Sequence, residues 1–145
     1  MITKAEWAEI EDDLSRGYVD VEFTYKGFKL AVNRVRVSES KTALVVYING
    51  RINHGWGSAH IDWVKVSEEF KSQVPSILAD VWKARTKSLY TAKEIKEHEK
   101  IWGKRECKKM GVYRKYHYFE PFFSKASVLV RQFKKLDGLE LASVG

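Results

Sequence analysis

The side chains able to make or break bonds are few. The chain has four histidines, His54, His60, His98 and His117, and one cysteine, Cys107. His54, His60 and Asp62 fall in one glycine-rich segment. Two imidazoles and a carboxylate are the donors a metal-dependent nuclease uses to hold a divalent ion and activate water. No second ligand pair stands beside those two histidines, however, and no zinc-site spacing is present. His98 lies among Glu94, Glu97 and Glu99 without an H-E-x-x-H pattern. Cys107 precedes Lys108 and Lys109, whose charge would favour a thiolate. A lone cysteine on a basic helix is more often structural. No P-loop, dinucleotide fingerprint or nucleophile elbow occurs. The chain therefore reads as non-enzymatic, with no cofactor and no metal, and a nuclease is the weakest alternative.

Binding chemistry is better represented. Residues 91–121 read "TAKEIKEHEKIWGKRECKKMGVYRKYHYFEP". Lys93, Lys96, Lys100, Lys104, Arg105, Lys108 and Lys109 belong to one expected helix. If that helix runs through Gly103, Lys96, Lys100, Lys104 and Lys108 stack on one stripe. Like charges at this spacing cost ~0.2–0.5 kcal/mol per pair, and a polyanion would relieve that repulsion. In the strand expected next, Arg114, Tyr116 and Tyr118 share one face, and Tyr113, Lys115, His117 and Phe119 share the other. Cations interleaved with aromatics suit phosphate contact combined with base stacking. The competing reading is a sheet strand whose aromatics enter the core while its cations snorkel outward. Arg131, Lys134 and Lys135 add cations on the last helix. The candidate nucleic-acid or partner interface is therefore Lys93, Lys96, Lys100, Lys104, Arg105, Lys108, Lys109, Arg114, Lys115, Tyr116, Arg131, Lys134 and Lys135. No zinc finger, homeodomain or RNP1 motif accompanies it.

The overall charge agrees with this placement. The net charge is +7. Residues 1–80 carry ten basic and twelve acidic side chains, a net −2, and residues 81–145 carry sixteen and seven, a net +9. A one-sided positive field favours anionic partners and speeds encounter with them. The length of 145 residues fits one domain. We expect a neutral-to-acidic half over 1–80, a basic helical half over 81–137 and a loose tail over 138–145. One cysteine permits no intrachain disulfide, which fits a reducing compartment. No signal-peptide core opens the sequence, and the run "ALVVYI" falls far short of the ~20 residues of a membrane helix. The expectation is a soluble cytoplasmic protein without membrane association.

These residues must be held by an α+β fold. Thr3 and Glu6 form a capping box before Trp7, Ile10 and Leu14 at helical spacing. Alternation over residues 19–25, the Lys26–Gly27 turn, the run 28–37 and the run 42–50 predict a three-stranded antiparallel meander. Arg34 and Arg36 share one face of its second strand and are expected to face solvent. Gly50 marks another hairpin, with residues 51–56 as a fourth, edge strand. Trp56 and Trp63 are expected in the core. Pro75 breaks a partly helical run over 66–84, and residues 85–90 are expected to link it to the basic helix. Thr91 and Glu94 form a second capping box. Ser124 is the expected N-cap of a last helix burying Val128, Leu129, Phe133 and Leu136. The whole is an antiparallel meander sheet of about four to five strands with N-terminal and C-terminal helices packed on it.

Three segments carry a resemblance. "NRVRVSESKTALVVYINGRINHGWG", "TKSLYTAKEIKEHEKIWGKRECKK" and "YFEPFFSKASVLVRQFKK" together resemble small tailed-bacteriophage proteins over about residues 30–136. The resemblance implies a phage origin, expression in a bacterial cytoplasm and an anti-defence role of anti-CRISPR type. In that role the protein would inhibit a host nucleic-acid-handling complex. The alternative is an autonomous DNA- or RNA-binding accessory protein of phage replication or regulation.

Overall fold

The computed structural model describes residues 2–59 and 66–144, and the backbone alone of His54. His60, Asp62 and Trp63 of the sequence reading lie outside the described residues, as does the His54 side chain.

The first helix, α1 (Lys4–Leu14), starts where the sequence places it. The Thr3 hydroxyl accepts from the Glu6 N–H, and the Glu6 carboxylate accepts from the Thr3 N–H. Trp7, Ile10 and Leu14 are buried on one stripe. Next come β1 (Asp20–Tyr25), β2 (Phe28–Arg36) and β3 (Thr42–Ile48), paired as the expected antiparallel meander. Alternation sends Val21, Phe23, Leu30, Val32, Leu44, Val46 and Ile48 into the core. Arg34 continues the core-facing row of Leu30 and Val32 at its margin, so it does not simply face solvent. Its guanidinium donates to the carbonyls of Leu14 and Arg16, both at 2.7 Å, and to the Thr42 hydroxyl at 3.1 Å. The last turn of α1 has no basic residue of its own; Arg34 supplies the positive charge that a helix C-terminus favours.

The fourth strand is not where the sequence suggests. Asn49 and Gly50, both at positive φ, turn the chain after β3, but only Arg51 then bridges back to Ile48. The 3-10 helix His54–Ser58 follows, with Asn53 accepting from the Gly55 N–H. The edge of β3 is taken instead by β6 (Phe122–Phe123), and the Val46 N–H donates to the Pro121 carbonyl. The other edge also differs from expectation. The tail read as loose contains β7 (Glu140–Val144), antiparallel to β1 with a register shift between Glu22 and Phe23. The sheet order is β6-β3-β2-β1-β7, five strands.

Pro75 separates two short helices, α2 (Glu68–Gln73) and α3 (Leu78–Val81). The helix does not continue through Trp82. That indole is buried, donates to the Val46 carbonyl at 3.1 Å and lies 6.0 Å from the buried Trp56 ring. Anchored there, the chain leaves as β4 (Lys83–Ser88), where the sequence pattern predicts the end of a helix and a linker. The strand pairs with β5 (Lys115–Glu120) in a separate two-stranded ribbon. Between the two strands lies α4 (Ala92–Met110).

The last helix, α5 (Ala126–Phe133), is shorter than expected. Lys125 rather than Ser124 occupies its N-cap position, with no side-chain cap. Its buried residues are Ala126, Leu129, Val130 and Phe133, while Val128 and Leu136 are only partly buried. The Phe133 ring packs edge-on against Phe23 and Phe123. Helices α1, α3 and α5 thus cover the core face of the sheet, giving the expected α+β architecture with a small second sheet.

Candidate nucleic-acid interface

The ribbon carries α4 away from its anchored end. At that end Lys83 pairs with Glu120, and Arg85 makes an ion pair with Glu120. The 3-10 helix clasps the ribbon so closely that a Cβ on Gly57 would lie 1.8 Å from the Phe119 carbonyl oxygen. At the far end Ser88 pairs with Lys115, and the Leu89 N–H donates to the Arg114 carbonyl. Helix α4 spans that end.

The helix begins at the expected capping box. Glu94 N–H donates to the Thr91 hydroxyl at 3.2 Å, and Thr91 N–H donates to Glu94 Oε1 at 3.2 Å. The Thr91 side chain, then its backbone N–H, hold the Glu94 carboxyl below the ordinary range. Gly111, left-handed at φ 77°, closes the other end.

The continuous lysine stripe does not form. Gly103 sits at φ 78°, ψ 158°, a conformation essentially restricted to glycine, and it breaks α4 into 92–102 and 104–110. Each half has its own basic face. At about 100° per residue, Lys93, Lys96 and Lys100 fall within about 60° of one another, opposite the partly buried Ile95. In the second half Arg105, Lys108 and Lys109 point away from Cys107, the one described residue of α4 that is buried. In an unbroken helix Cys107 would lie about 120° from Ile95, between Lys96 and Lys100. The break therefore turns Cys107 inward.

That burial settles the character of the thiol. Desolvation first, then Glu99 and Glu106, raise its pKa, opposite to the activation its lysine neighbours suggest. Among the described residues no group of three or more His, Cys, Asp and Glu side chains is placed to hold a metal ion. No described helix is long and apolar enough to cross a membrane.

Residues 92–115 hold nine Lys and Arg against four Glu, a net +5. Three of those carboxylates serve the local structure. Glu94 caps the helix, Glu99 accepts from the Tyr113 hydroxyl at 2.6 Å, and Glu106 pairs with Lys109 at 3.6 Å. Lys109 alone among the nine cations makes an ion pair with a described residue. Lys93, Lys96, Lys100, Lys104, Arg105, Lys108 and Lys115 are exposed. Arg114 is exposed as well, with its side chain folded back over Gly111.

The remaining candidates are placed differently. Tyr116 is half-buried beside Tyr118, with ring centroids 5.8 Å apart. Arg131 is exposed on α5, and Lys134 and Lys135, expected on that helix, are exposed at and beyond its C-cap; none is gathered with the α4 cations. Lys135 borders a crevice with Asp80, Trp82 and Ala84, at the anchored end of the ribbon. Roughly 13 Å of strand, four residues of β4, separate Ala84 from Ser88 and the α4 end.

Two residues were missed by the sequence reading. Ile101 is 71% exposed and Trp102 is 55% exposed, next to the break and between the two basic faces. The signal was present. The positions three and four residues either side of Trp102 are Glu99, His98, Arg105 and Glu106, so no apolar partner exists along the helix.

A second concavity, about 620 Å³, lies on the sheet face away from the helices, floored by Val35, Ala43, Val45, Tyr47 and Phe122. Comparison with family models finds no match, and comparison with curated proteins and with solved structures finds no similar chain.

Proposed function

We propose that this is a non-enzymatic protein that binds nucleic acid through α4. The observation carrying this reading is the set of unpaired cations on both halves of a helix whose own carboxylates are mostly engaged. Such a surface repels itself in the free protein and gains by releasing counterions from phosphates. Taken with the resemblance to tailed-phage proteins, the role that fits is inhibition of a host nucleic-acid-handling complex in the bacterial cytoplasm. A CRISPR effector, whose guide RNA or target DNA α4 would contend for, is the type of target. The autonomous phage DNA- or RNA-binding protein is the alternative outcome of the same test.

The test is binding of short labelled single- and double-stranded DNA and RNA at low and moderate salt. The expected result is an affinity whose logarithm falls linearly with the logarithm of salt, with a slope of about −0.7 to −0.9 per phosphate engaged. Changing Lys104, Arg105, Lys108 and Lys109 together to Glu should abolish binding. Circular dichroism then checks that the fold persists, since acids in a last helical turn oppose the helix dipole. The corresponding Gln variant removes that objection. No binding by the wild type at low salt rejects the reading. Binding to bare nucleic acid with no inhibition of a guide-loaded effector favours the autonomous protein.

A further inference from the structure

We propose that the break in α4 is a stacking site for unpaired bases, so that the ligand is single-stranded nucleic acid rather than duplex. This rests on the nucleic-acid reading above and narrows it. The relevant residues are Trp102 and Ile101, with Lys100, Lys104 and Arg105 on either side.

Three observations point the same way. First, a Trp is a large apolar side chain usually drawn into the core. Trp7, Trp56 and Trp82 are buried here, while Trp102 is 55% exposed on a lysine-rich helix. Second, its position is fixed by the backbone. A Cβ on Gly103 would meet nothing within 4 Å, so glycine is required by its φ of 78° and not by crowding. The consequence of that conformation is two basic faces with the indole at their junction. Third, the charge selects the occupant. Beside the indole, Lys100, Lys104 and Arg105 make no ion pair with a described residue, while the neighbouring carboxylates Glu99 and Glu106 are engaged by Tyr113 and Lys109, which suits phosphates on both sides of a base.

The geometry also disfavours duplex. A duplex keeps its bases stacked on each other and offers phosphates on a stiff rod. An unbroken lysine stripe could follow such a rod, but the break replaces it with two faces turned relative to each other. A single strand can bend between them and lay a base on the indole. Every base has a π-face, so the site should be tolerant of sequence.

The test compares wild type, Trp102→Ala and Trp102→Phe on a labelled oligo(dT), an oligo(U) and a hairpin duplex of equal charge. We expect the wild type to prefer the single strands. Trp102→Ala should weaken single-strand binding by roughly 5- to 100-fold, as the loss of one stacked base does. Its duplex affinity and its salt slope should stay unchanged, and Trp102→Phe should recover most of the loss. Quenching of tryptophan fluorescence by oligo(dT) should shrink in Trp102→Ala. Salt-sensitive binding that is indifferent to Trp102, or lost equally for duplex and single strand, overturns the stacking site and leaves the charge-based reading standing. Failure of the wild type to bind any probe overturns both.

Discussion

The Tyr113 hydroxyl donates to the Glu99 carboxylate at 2.6 Å, joining the first half of α4 to the segment that follows its second half. The bond spans the Gly103 break and so fixes how the two halves meet. The Glu99 hydrogen bond is the main cause that raises the Tyr113 pKa from 10.0 to about 12, with burial and the carboxylate charge adding to it. A folded pKa above the unfolded one means the stabilisation is complete below about pH 10 and is lost as pH rises through about 12. Ultraviolet titration should show one phenol ionising near 12 that is absent in Tyr113→Phe. The stability difference between wild type and Tyr113→Phe should close across that window. A difference that persists above pH 12 would contradict the assignment.

Gly103→Ala tests the break itself. Alanine fits the space but not the backbone, since φ 78° with ψ 158° costs a residue with a Cβ on the order of 1–3 kcal/mol. The variant has one escape, which is to continue the helix and gain the better propensity of alanine. That would swing Cys107 out toward Lys96 and Lys100. The expected result is therefore a lower melting temperature and at least tenfold faster reaction of Cys107 with a thiol reagent. Unchanged stability with a protected thiol would show that Gly103 is not needed for the break.

Much of this fold was legible because it is local. Thr3 and Glu6, Thr91 and Glu94, and the Lys26–Gly27 turn are decided within four residues, and all appear as read. The alternation of β1, β2 and β3 likewise reports a sheet with one buried face. What failed was pairing at long range. Residues 51–56 have strand character, but the free edge of β3 is paired by Phe122 and Phe123, nearly eighty residues along the chain. β4 reads as a continuation of helix until β5 supplies its partner, and β7 looks loose until β1 does. In the candidate interface the cations could be read directly from composition. The isolation of Trp102 could be read from spacing too, since Glu99, His98, Arg105 and Glu106 surround it along the helix, but the turning of Cys107 depends on the φ of one glycine, which spacing alone does not reveal.

Arg34 joins the sheet to the end of α1, and its removal should be costly for a partly exposed residue. Arg34→Ala leaves the carbonyls of Leu14 and Arg16 without their shared donor. Hydrogen bonds from charged groups contribute about 1.5–3 kcal/mol each when well shielded. Partial exposure lowers that, so a loss of about 1–2 kcal/mol is expected. Arg34→Lys should recover only part, because an ammonium cannot reproduce the fork that reaches both carbonyls and Thr42. Urea denaturation of the three proteins measures this. Equal stability of Arg34→Lys and wild type would show that charge alone suffices at the end of α1.

Gly57→Ala separates the body of the protein from its binding arm. The 3-10 helix lies against β5 with no room for a side chain, since the added Cβ would fall 1.8 Å from the Phe119 carbonyl oxygen. That atom is backbone, held in the β4–β5 ladder where Phe119 is opposite Ala84, so it cannot rotate away. Relief requires the ribbon and the 3-10 helix to separate. Overpacking of this kind costs typically about 1–3 kcal/mol. Trp56 and Phe119 border the hydrophobic core, but α1, α5 and β1 take no part in the clash, so their packing should persist. Hydrogen exchange should therefore rise in β4 and β5 while the amides of β1, β2 and β3 stay protected. Exchange that rises equally throughout would mean that the ribbon and the main sheet unfold as one unit.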